Sequence, residues 1–252
     1  MKFIYGLLLI FSMTAFCAVD DELIGGRDVR PGEYPEVIKI KTCGTTNGVF
    51  GCASCSAAIV GNRVILTAAH CVLGRGEISY WLDGNLRTAQ CEKHPVYPAD
   101  DMDMALCKDR KPMAPRKYAH VSDQEGPLSY EIVTLIGYGC TQPGGGGGND
   151  GILRVGEARV TREAGHGDNW FYTKDKSALC FGDSGGPAFQ RVRNAKTDKH
   201  VVYGVNSRGN IKDMSMLTGI FLPKGVEFMQ DFQTRNGVEI CGLYGFQCDA
   251  EK

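Results

Sequence analysis

The stretch GDSGGP, at residues 182–187, is the most informative part of the sequence. It places a serine hydroxyl among glycines, which tolerate unusual backbone dihedrals and let other chain segments approach closely. A serine hydroxyl is a poor nucleophile at neutral pH and needs a base to take its proton as it attacks. We therefore interpret Ser184 as a candidate nucleophile, and a matching base is expected elsewhere in the chain.

Two other segments supply a base and a carboxylate. LTAAHC at residues 66–71 contains His70, and DMAL at residues 103–106 begins with Asp103. Histidine suits the base because its unperturbed pKa of about 6.5 leaves it mostly neutral near pH 7. A buried carboxylate can then fix the imidazole tautomer and stabilise the imidazolium. Asp101 is an alternative carboxylate, but the apolar residues directly after Asp103 favour Asp103.

These three segments, in the chain order His, Asp, Ser, resemble the trypsin/chymotrypsin family of serine proteases. The resemblance covers nearly all of the chain after Leu23. It implies an all-β fold of two packed six-stranded antiparallel β-barrels with a C-terminal helix. His70 and Asp103 would come from the first barrel and Ser184 from the second. The implied activity is that of a serine endopeptidase, which cleaves peptide or protein substrates without a cofactor or a metal.

The resemblance also assigns the groups around the nucleophile. The backbone N–H groups of Gly182 and Ser184 correspond to the family's oxyanion hole, which takes the place of a Lewis acid. Ser207 matches the serine that donates a hydrogen bond to the family's catalytic aspartate. Cys55 and Cys71 match the disulfide that braces the histidine loop.

The positions that form the family's specificity pocket are occupied in this chain by alanine, serine and glycine. Ala178, counted back from the nucleophile, matches the pocket base and offers no charge, and glycines at the wall would leave the pocket open. The resemblance thus implies a preference for apolar or aromatic side chains before the scissile bond. Alternatively, Arg208 or Lys212 attracts acidic side chains. The expected substrate-binding residues are Ala178, Ser207, Gly209 and Gly219.

The segment LIGG, at residues 23–26, resembles the amino terminus that the family exposes when a propeptide is cut. Cutting after Glu22 would free the amine of Leu23, which in the family pairs with the aspartate beside the nucleophile, here Asp183. The family usually has Arg or Lys before the cut, whereas residues 20–22 are acidic. The activator is then an acid-directed protease, a dipeptidase or the enzyme itself. Alternatively, no cut occurs and Leu23 begins an ordinary strand.

Residues 1–17 are typical of a secretory signal peptide, with an apolar run and the small residues Ala15 and Cys17 before the expected cleavage site. Residues 18–22 would then be a short propeptide, and residues 23–252 the protease domain. A retained membrane anchor or a lipid on Cys17 are the alternatives. We expect a secreted protein, either extracellular or periplasmic.

Composition narrows the possible partners and the compartment. The chain has 252 residues and a formal net charge of -1, so no strong field attracts nucleic acid or an anionic membrane, and we expect a monomer. Of its 11 cysteines, Cys17 lies in the expected signal peptide, which leaves an even set typical of an oxidising compartment. A metal or redox site at the CxxC of residues 52–55 is the alternative. Besides the family pairing, the expected disulfides are Cys43–Cys52, Cys91–Cys107, Cys140–Cys180 and Cys241–Cys248.

The residue pattern alone favours an antiparallel barrel or sandwich, because short β-type runs alternate with turn residues such as Asp83-Gly84. A helix is predicted around residues 226–232, between Pro223 and a stop at Asn236-Gly237. The glycine run 144–148 is interpreted as a mobile surface loop. A non-catalytic binding module on the same fold is an alternative function. Strands are predicted at residues 37–41, 56–60, 64–67, 78–82, 131–137, 153–160, 200–206 and 219–222.

Overall fold

The structure, a computed structural model, describes residues 23–46, 48–115, 117–148, 150–165, 167–190 and 199–248. The predicted signal peptide and propeptide lie outside the described residues. After the two-residue strand β1 (Arg27–Asp28), six strands close into an antiparallel barrel in the order β2-β3-β4-β7-β6-β5. These strands are β2 (Val37–Thr46), β3 (Val49–Gly61), β4 (Val64–Thr67), β5 (Glu77–Leu82), β6 (Asn85–Lys93) and β7 (Ala105–Asp109).

The second half of the chain forms another six-stranded barrel. The short strand β8 (His120–Val121) pairs in parallel with a barrel strand, and β1 adds to a second one. The barrel runs in the order β9-β10-β11-β14-β13-β12, and β12 closes back on β9. Its strands are β9 (Ile132–Gly137), β10 (Arg154–Arg162), β11 (Trp170–Lys174), β12 (Pro187–Gln190), β13 (Val201–Gly209) and β14 (Met214–Gly219).

Local chemistry explains where these elements turn and stop. Asp83 and Gly84, with φ of 49° and 74°, join β5 to β6 in a two-residue hairpin, because both central positions of such turns need positive φ. The helix α1 (Pro223–Asn236) starts with proline. Proline is favoured at this position because the N–H that it lacks would have no partner within the helix. It ends at Gly237, whose φ of 58° gives a left-handed cap. Phe228, Met229 and Phe232 face the core.

The fold class predicted from the sequence is confirmed, and so is the C-terminal helix. The strand predicted at residues 219–222 is wrong, because β14 ends at Gly219 and the chain then turns into the helix at Pro223. All five expected disulfides are present, including Cys55–Cys71, which ties β3 to the turn after β4. None of the described helices is both long and apolar enough to cross a membrane.

Ser56 joins the two barrels at the point where GDSGGP passes. This β3 residue is completely buried, and its backbone N–H donates to the carbonyl of Ser184 at 2.8 Å. Its hydroxyl donates to the carbonyl of Gly182 at 2.8 Å and accepts from the N–H of Tyr138 at 3.0 Å. One side chain of the first barrel therefore fixes two backbone groups of the second.

Replacing Ser56 with alanine should lower the free energy of unfolding by about 1–3 kcal/mol, because a partly buried carbonyl and a partly buried amide lose their partner. Urea unfolding of the disulfide-intact protein measures this. Ser79→Ala is the matched control, since that hydroxyl makes one exposed bond of 3.3 Å, and its loss should cost less than about 0.5 kcal/mol. Equal effects of the two substitutions would show that Ser56 does not join the barrels energetically.

Candidate active site

Asp103 is a completely buried carboxylate surrounded by donors. The backbone N–H of His70 donates to its Oδ1 at 2.9 Å, and His70 Nδ1 lies 2.7 Å from its Oδ2. The hydroxyl of Ser207 donates to the same Oδ2 at 2.5 Å. Burial acts to raise the pKa of Asp103, but the bonds from His70 and Ser207 outweigh it and hold the pKa below its usual value. The group is therefore a carboxylate at neutral pH.

His70 sits on a single 3-10 turn, Ala69–Cys71, directly after β4. Its side chain is 35% exposed, so one edge faces Asp103 and part of the ring reaches solvent. With Nδ1 as the donor to the carboxylate, the neutral imidazole carries its lone pair on Nε2. Cys55, His70 and Cys71 have ligand atoms within 4.8 Å of one another, but the two sulfurs form a disulfide and offer no thiolate to a metal.

Ser184 lies in the turn before β12, and its hydroxyl is 3.4 Å from the carbonyl of Ser207. Ser207 thus contacts Asp103 through its side chain and Ser184 through its backbone. Within the described part of the chain, no hydrogen bond joins Ser184 Oγ to His70 Nε2. The structure brings His70 and Asp103 into contact and connects Ser184 to Asp103 indirectly, through Ser207.

The two backbone donors predicted for an oxyanion are unoccupied. Neither the N–H of Gly182 nor that of Ser184 bonds to another described residue. Gly182 has a φ of 102°, and a Cβ there would lie 2.9 Å from the Cα of Gly139, so a larger residue would not fit. Its carbonyl is held by Ser56 at 2.8 Å, which fixes the orientation of the residue. Both amides are therefore available to a ligand.

Asp183 is completely buried, and its carboxylate accepts from the N–H groups of Gly139 and Cys180, each at 2.8 Å. Burial raises the pKa of Asp183 to about 7, and these bonds, together with the charge of Arg154, offset it only in part. In the part of the chain that the structure covers, no bond joins Asp183 to Leu23.

The segment that begins at Leu23 nevertheless lies close to the Asp183 loop. Leu23 is completely buried, and Ile24 packs with Cys140, Ala178 and Cys180. The carbonyl of Ile24 accepts from the N–H of Ala178 at 2.9 Å. Leu23 also has a φ of 53°, in the left-handed region that a leucine disfavours. The structure therefore places the start of this segment beside residues that adjoin Asp183.

The residues expected to form the specificity pocket are only partly brought together. Ala178 is completely buried. Gly209 pairs with Ser215 across the β13–β14 hairpin, whereas Gly219 pairs with Gly204 farther along. In this register Ser215, and not Gly219, lies opposite Gly209. The assignment of Gly209 and Gly219 to the pocket wall stays a prediction.

Arg208 is held beside Asp103 by several partners. Its guanidinium lies over the ring of Trp170, 4.8 Å from the centroid. Its Nη2 is 3.4 Å from Asp101 Oδ1, and its Nε is 3.4 Å from the hydroxyl of Ser207. Asp101 therefore binds Arg208, and Asp103 is the carboxylate that contacts His70.

Two buried polar residues that were not predicted as site residues, Ser56 and Asn206, hold the nucleophile turn. The side chain of Asn206 donates to the carbonyl of Ile136 at 2.9 Å and to that of Asp183 at 3.3 Å. Its backbone N–H and carbonyl bond to Gly186 and Gly185, each at 2.8 Å. A polar residue inside the apolar run VVYGVN, residues 201–206, was the available signal for Asn206.

Similarity to known proteins shows which family the chain belongs to. The family profile described as Trypsin matches residues 23–223. A trypsin-like protease of Streptomyces glaucescens is 24% identical over 235 residues, which cover 83% of this chain and 81% of that protein. Serine protease SSP1 of Scolopendra subspinipes is 37% identical over 62 residues, which cover 25% of this chain and only 21% of that protein. Because the profile spans most of the chain, the protein belongs to the trypsin family of serine endopeptidases.

Proposed function

We propose that the protein hydrolyses peptide bonds with Ser184 as the nucleophile, His70 as the general base and acid, and Asp103 as the orienting anion. The observation that carries this proposal is the buried carboxylate of Asp103, 2.7 Å from His70 Nδ1. It holds the imidazole in the tautomer that leaves Nε2 able to accept a proton.

In the first half of the reaction, the hydroxyl of Ser184 turns from the carbonyl of Ser207 toward His70 Nε2. The oxygen bonds to the substrate carbonyl carbon while its proton moves to Nε2, and Asp103 stabilises the imidazolium that results. The carbonyl oxygen becomes an oxyanion, which the free N–H groups of Gly182 and Ser184 stabilise. Each such donor typically contributes about 3 kcal/mol to lowering the barrier.

In the second half, the imidazole of His70 acts first as an acid and then again as a base. His70 gives its proton to the leaving amine as the carbon–nitrogen bond breaks, which leaves the peptide esterified to Ser184. A water molecule then attacks the ester, gives a proton to Nε2, and releases the acid product as Ser184 regains its proton. Both halves use only side chains and backbone amides of this chain.

For specificity, we propose a preference for an apolar or aromatic side chain before the scissile bond. Ala178 at the pocket base carries no charge, and Arg208 is engaged by Trp170 and Asp101. Peptide and protein chains are the substrates, and the protein acts as a monomer.

We further propose that the chain is exported and made as a zymogen. Residues 1–17 would direct export, and the five disulfides fit an oxidising compartment. Removal of residues 18–22 would free the amine of Leu23 to pair with Asp183. It would also release the constraint that the preceding carbonyl places on φ of Leu23. An acid-directed protease, a dipeptidase or the enzyme itself would make the cut.

Replacing Ser184 with alanine should abolish covalent labelling of the processed protein by a fluorophosphonate and lower kcat on peptides by about 10⁴- to 10⁶-fold. The physical reason is loss of the attacking oxygen. Intact mass spectrometry and steady-state kinetics measure the two effects. Ser79→Ala should be labelled and should turn over like the wild type, and peptide hydrolysis retained by Ser184→Ala would refute the assignment.

Cutting before Leu23 should stabilise the protein increasingly as the pH rises. In the uncut chain Asp183 has a pKa of about 7 against an ordinary 3.8, so the folded state holds a proton that the unfolded state has lost. Stability of the uncut chain therefore falls as pH rises through this window, by on the order of 4 kcal/mol in all. In the cut chain the Leu23 ammonium favours the carboxylate and removes this fall.

Thermal unfolding of cut and uncut chains from about pH 5 to about pH 8, in a Ser184→Ala background, measures the difference. The gap between their melting temperatures should widen with pH, since all other side chains after residue 22 are common to both. Adding Asp183→Asn to both chains should close the gap. A constant gap across this range would contradict the proposed pairing.

A further inference from the structure

The turn between β13 and β14 carries an isoleucine in an unusual backbone conformation. Ile211 has a φ of 55°, in the left-handed region that β-branched residues rarely adopt. Asn210 fixes this turn, because its side-chain oxygen accepts from the N–H groups of residues 212–214 at 3.0–3.1 Å. The disfavoured conformation is therefore imposed by the surrounding structure, which is a reason to look for a role of the residue.

Ile211 is partly buried and packs against an apolar cluster that includes Ala178, the residue predicted at the base of the specificity pocket. The other members of this cluster are Ile24, Cys140 and Cys180. Ala178 has an exposure of 0%, and its neighbours Ser177 and Leu179 have 3% each. A pocket open to water down to its base would leave Ala178 accessible. Other atoms of the protein therefore cover Ala178, and Ile211 is the side chain that the turn contributes to the cluster around it.

A second loop holds Ile211 in place from the other side. The N–H of Gly144, the first residue of the glycine run, donates to the carbonyl of Ile211 at 3.0 Å. The family's usual cysteine after Gly209 is absent, and Cys180 is bonded to Cys140 instead. This hydrogen bond attaches the turn to the glycine run, and the packing of Ile211 attaches it to the cluster, while none of the described disulfides includes a residue of the turn.

We propose that Ile211 sets the size of the primary specificity pocket. Its side chain occupies the depth that an aromatic ring would need, so the pocket accepts small aliphatic side chains, of the size of alanine or valine, before the scissile bond. The inference rests on the proposed function and narrows its apolar preference to small residues. Ser215, buried opposite Gly209, restricts the same space from the other strand.

Kinetics on peptides that differ only in Ala, Val or Phe before the scissile bond test the proposal. The wild type should favour Ala and Val over Phe in kcat/KM by about tenfold or more. Ile211→Gly should raise kcat/KM for the Phe peptide relative to that for the Ala peptide by about tenfold. The variant should fold, since glycine adopts a positive φ without strain. Ile152→Gly, at an isoleucine that is 41% exposed, is the matched control and should keep the wild-type ratio.

Indole binding gives a readout that needs no turnover. In a Ser184→Ala background, calorimetry should detect saturable millimolar binding of indole when Ile211 is glycine and none when it is isoleucine. Equal binding in both proteins, or a wild type that prefers Phe, would overturn the proposal. A wild type that neither cleaves peptides nor reacts with a fluorophosphonate would instead contradict the proposed function, and the indole result would still decide the role of Ile211.

Discussion

An isolated carboxylate buried as completely as Asp103 would cost several kcal/mol, so the surrounding structure has to supply its donors. His70 comes from the first barrel, directly after β4, and Ser207 from β13 of the second. The first barrel supplies two of the three donors, the N–H and the ring of His70, and the second barrel supplies the third, the hydroxyl of Ser207. All three donors are present only when the barrels are docked, and the proposed catalytic groups lie at their interface.

The turn that contains Ser184 is also held by residues of both barrels. Gly185 passes so close to β3 that a Cβ would come within 2.4 Å of the carbonyl of Ser56. Ser56 then fixes the carbonyls of Gly182 and Ser184, while Asn206 holds the turn from within the second barrel. Because both barrels contribute bonds to this turn, the two free amides are fixed in position before any substrate arrives. Such preorganisation is what oxyanion stabilisation requires.

The sequence could predict those features that depend on a short stretch of the chain, and it could not predict those that depend on contacts between distant segments. The segments around His70, Asp103 and Ser184 are short motifs whose chemistry can be read directly, and they led to the fold. The cross-strand partner of Gly209 depends on the register of the β13–β14 hairpin, which a motif match does not contain, so the position of Ser215 opposite Gly209 could not be predicted. Ser56 and Ile211 look ordinary in a strand and a turn, since their roles come from contacts with distant segments.

Asp183 lies close to three parts of the proposed site that are far apart in the sequence. Its carboxylate is held by the amides of Gly139 and Cys180, and the Cys140–Cys180 disulfide ties those two segments together. Ile24 belongs to the same apolar cluster as these two cysteines, and Ile211 packs against that cluster. The proposed new amino terminus, the proposed oxyanion donors and the predicted base of the pocket thus adjoin one small cluster. A change of charge at Asp183 has a direct physical route to both the oxyanion donors and the specificity pocket, because the same few side chains support all three.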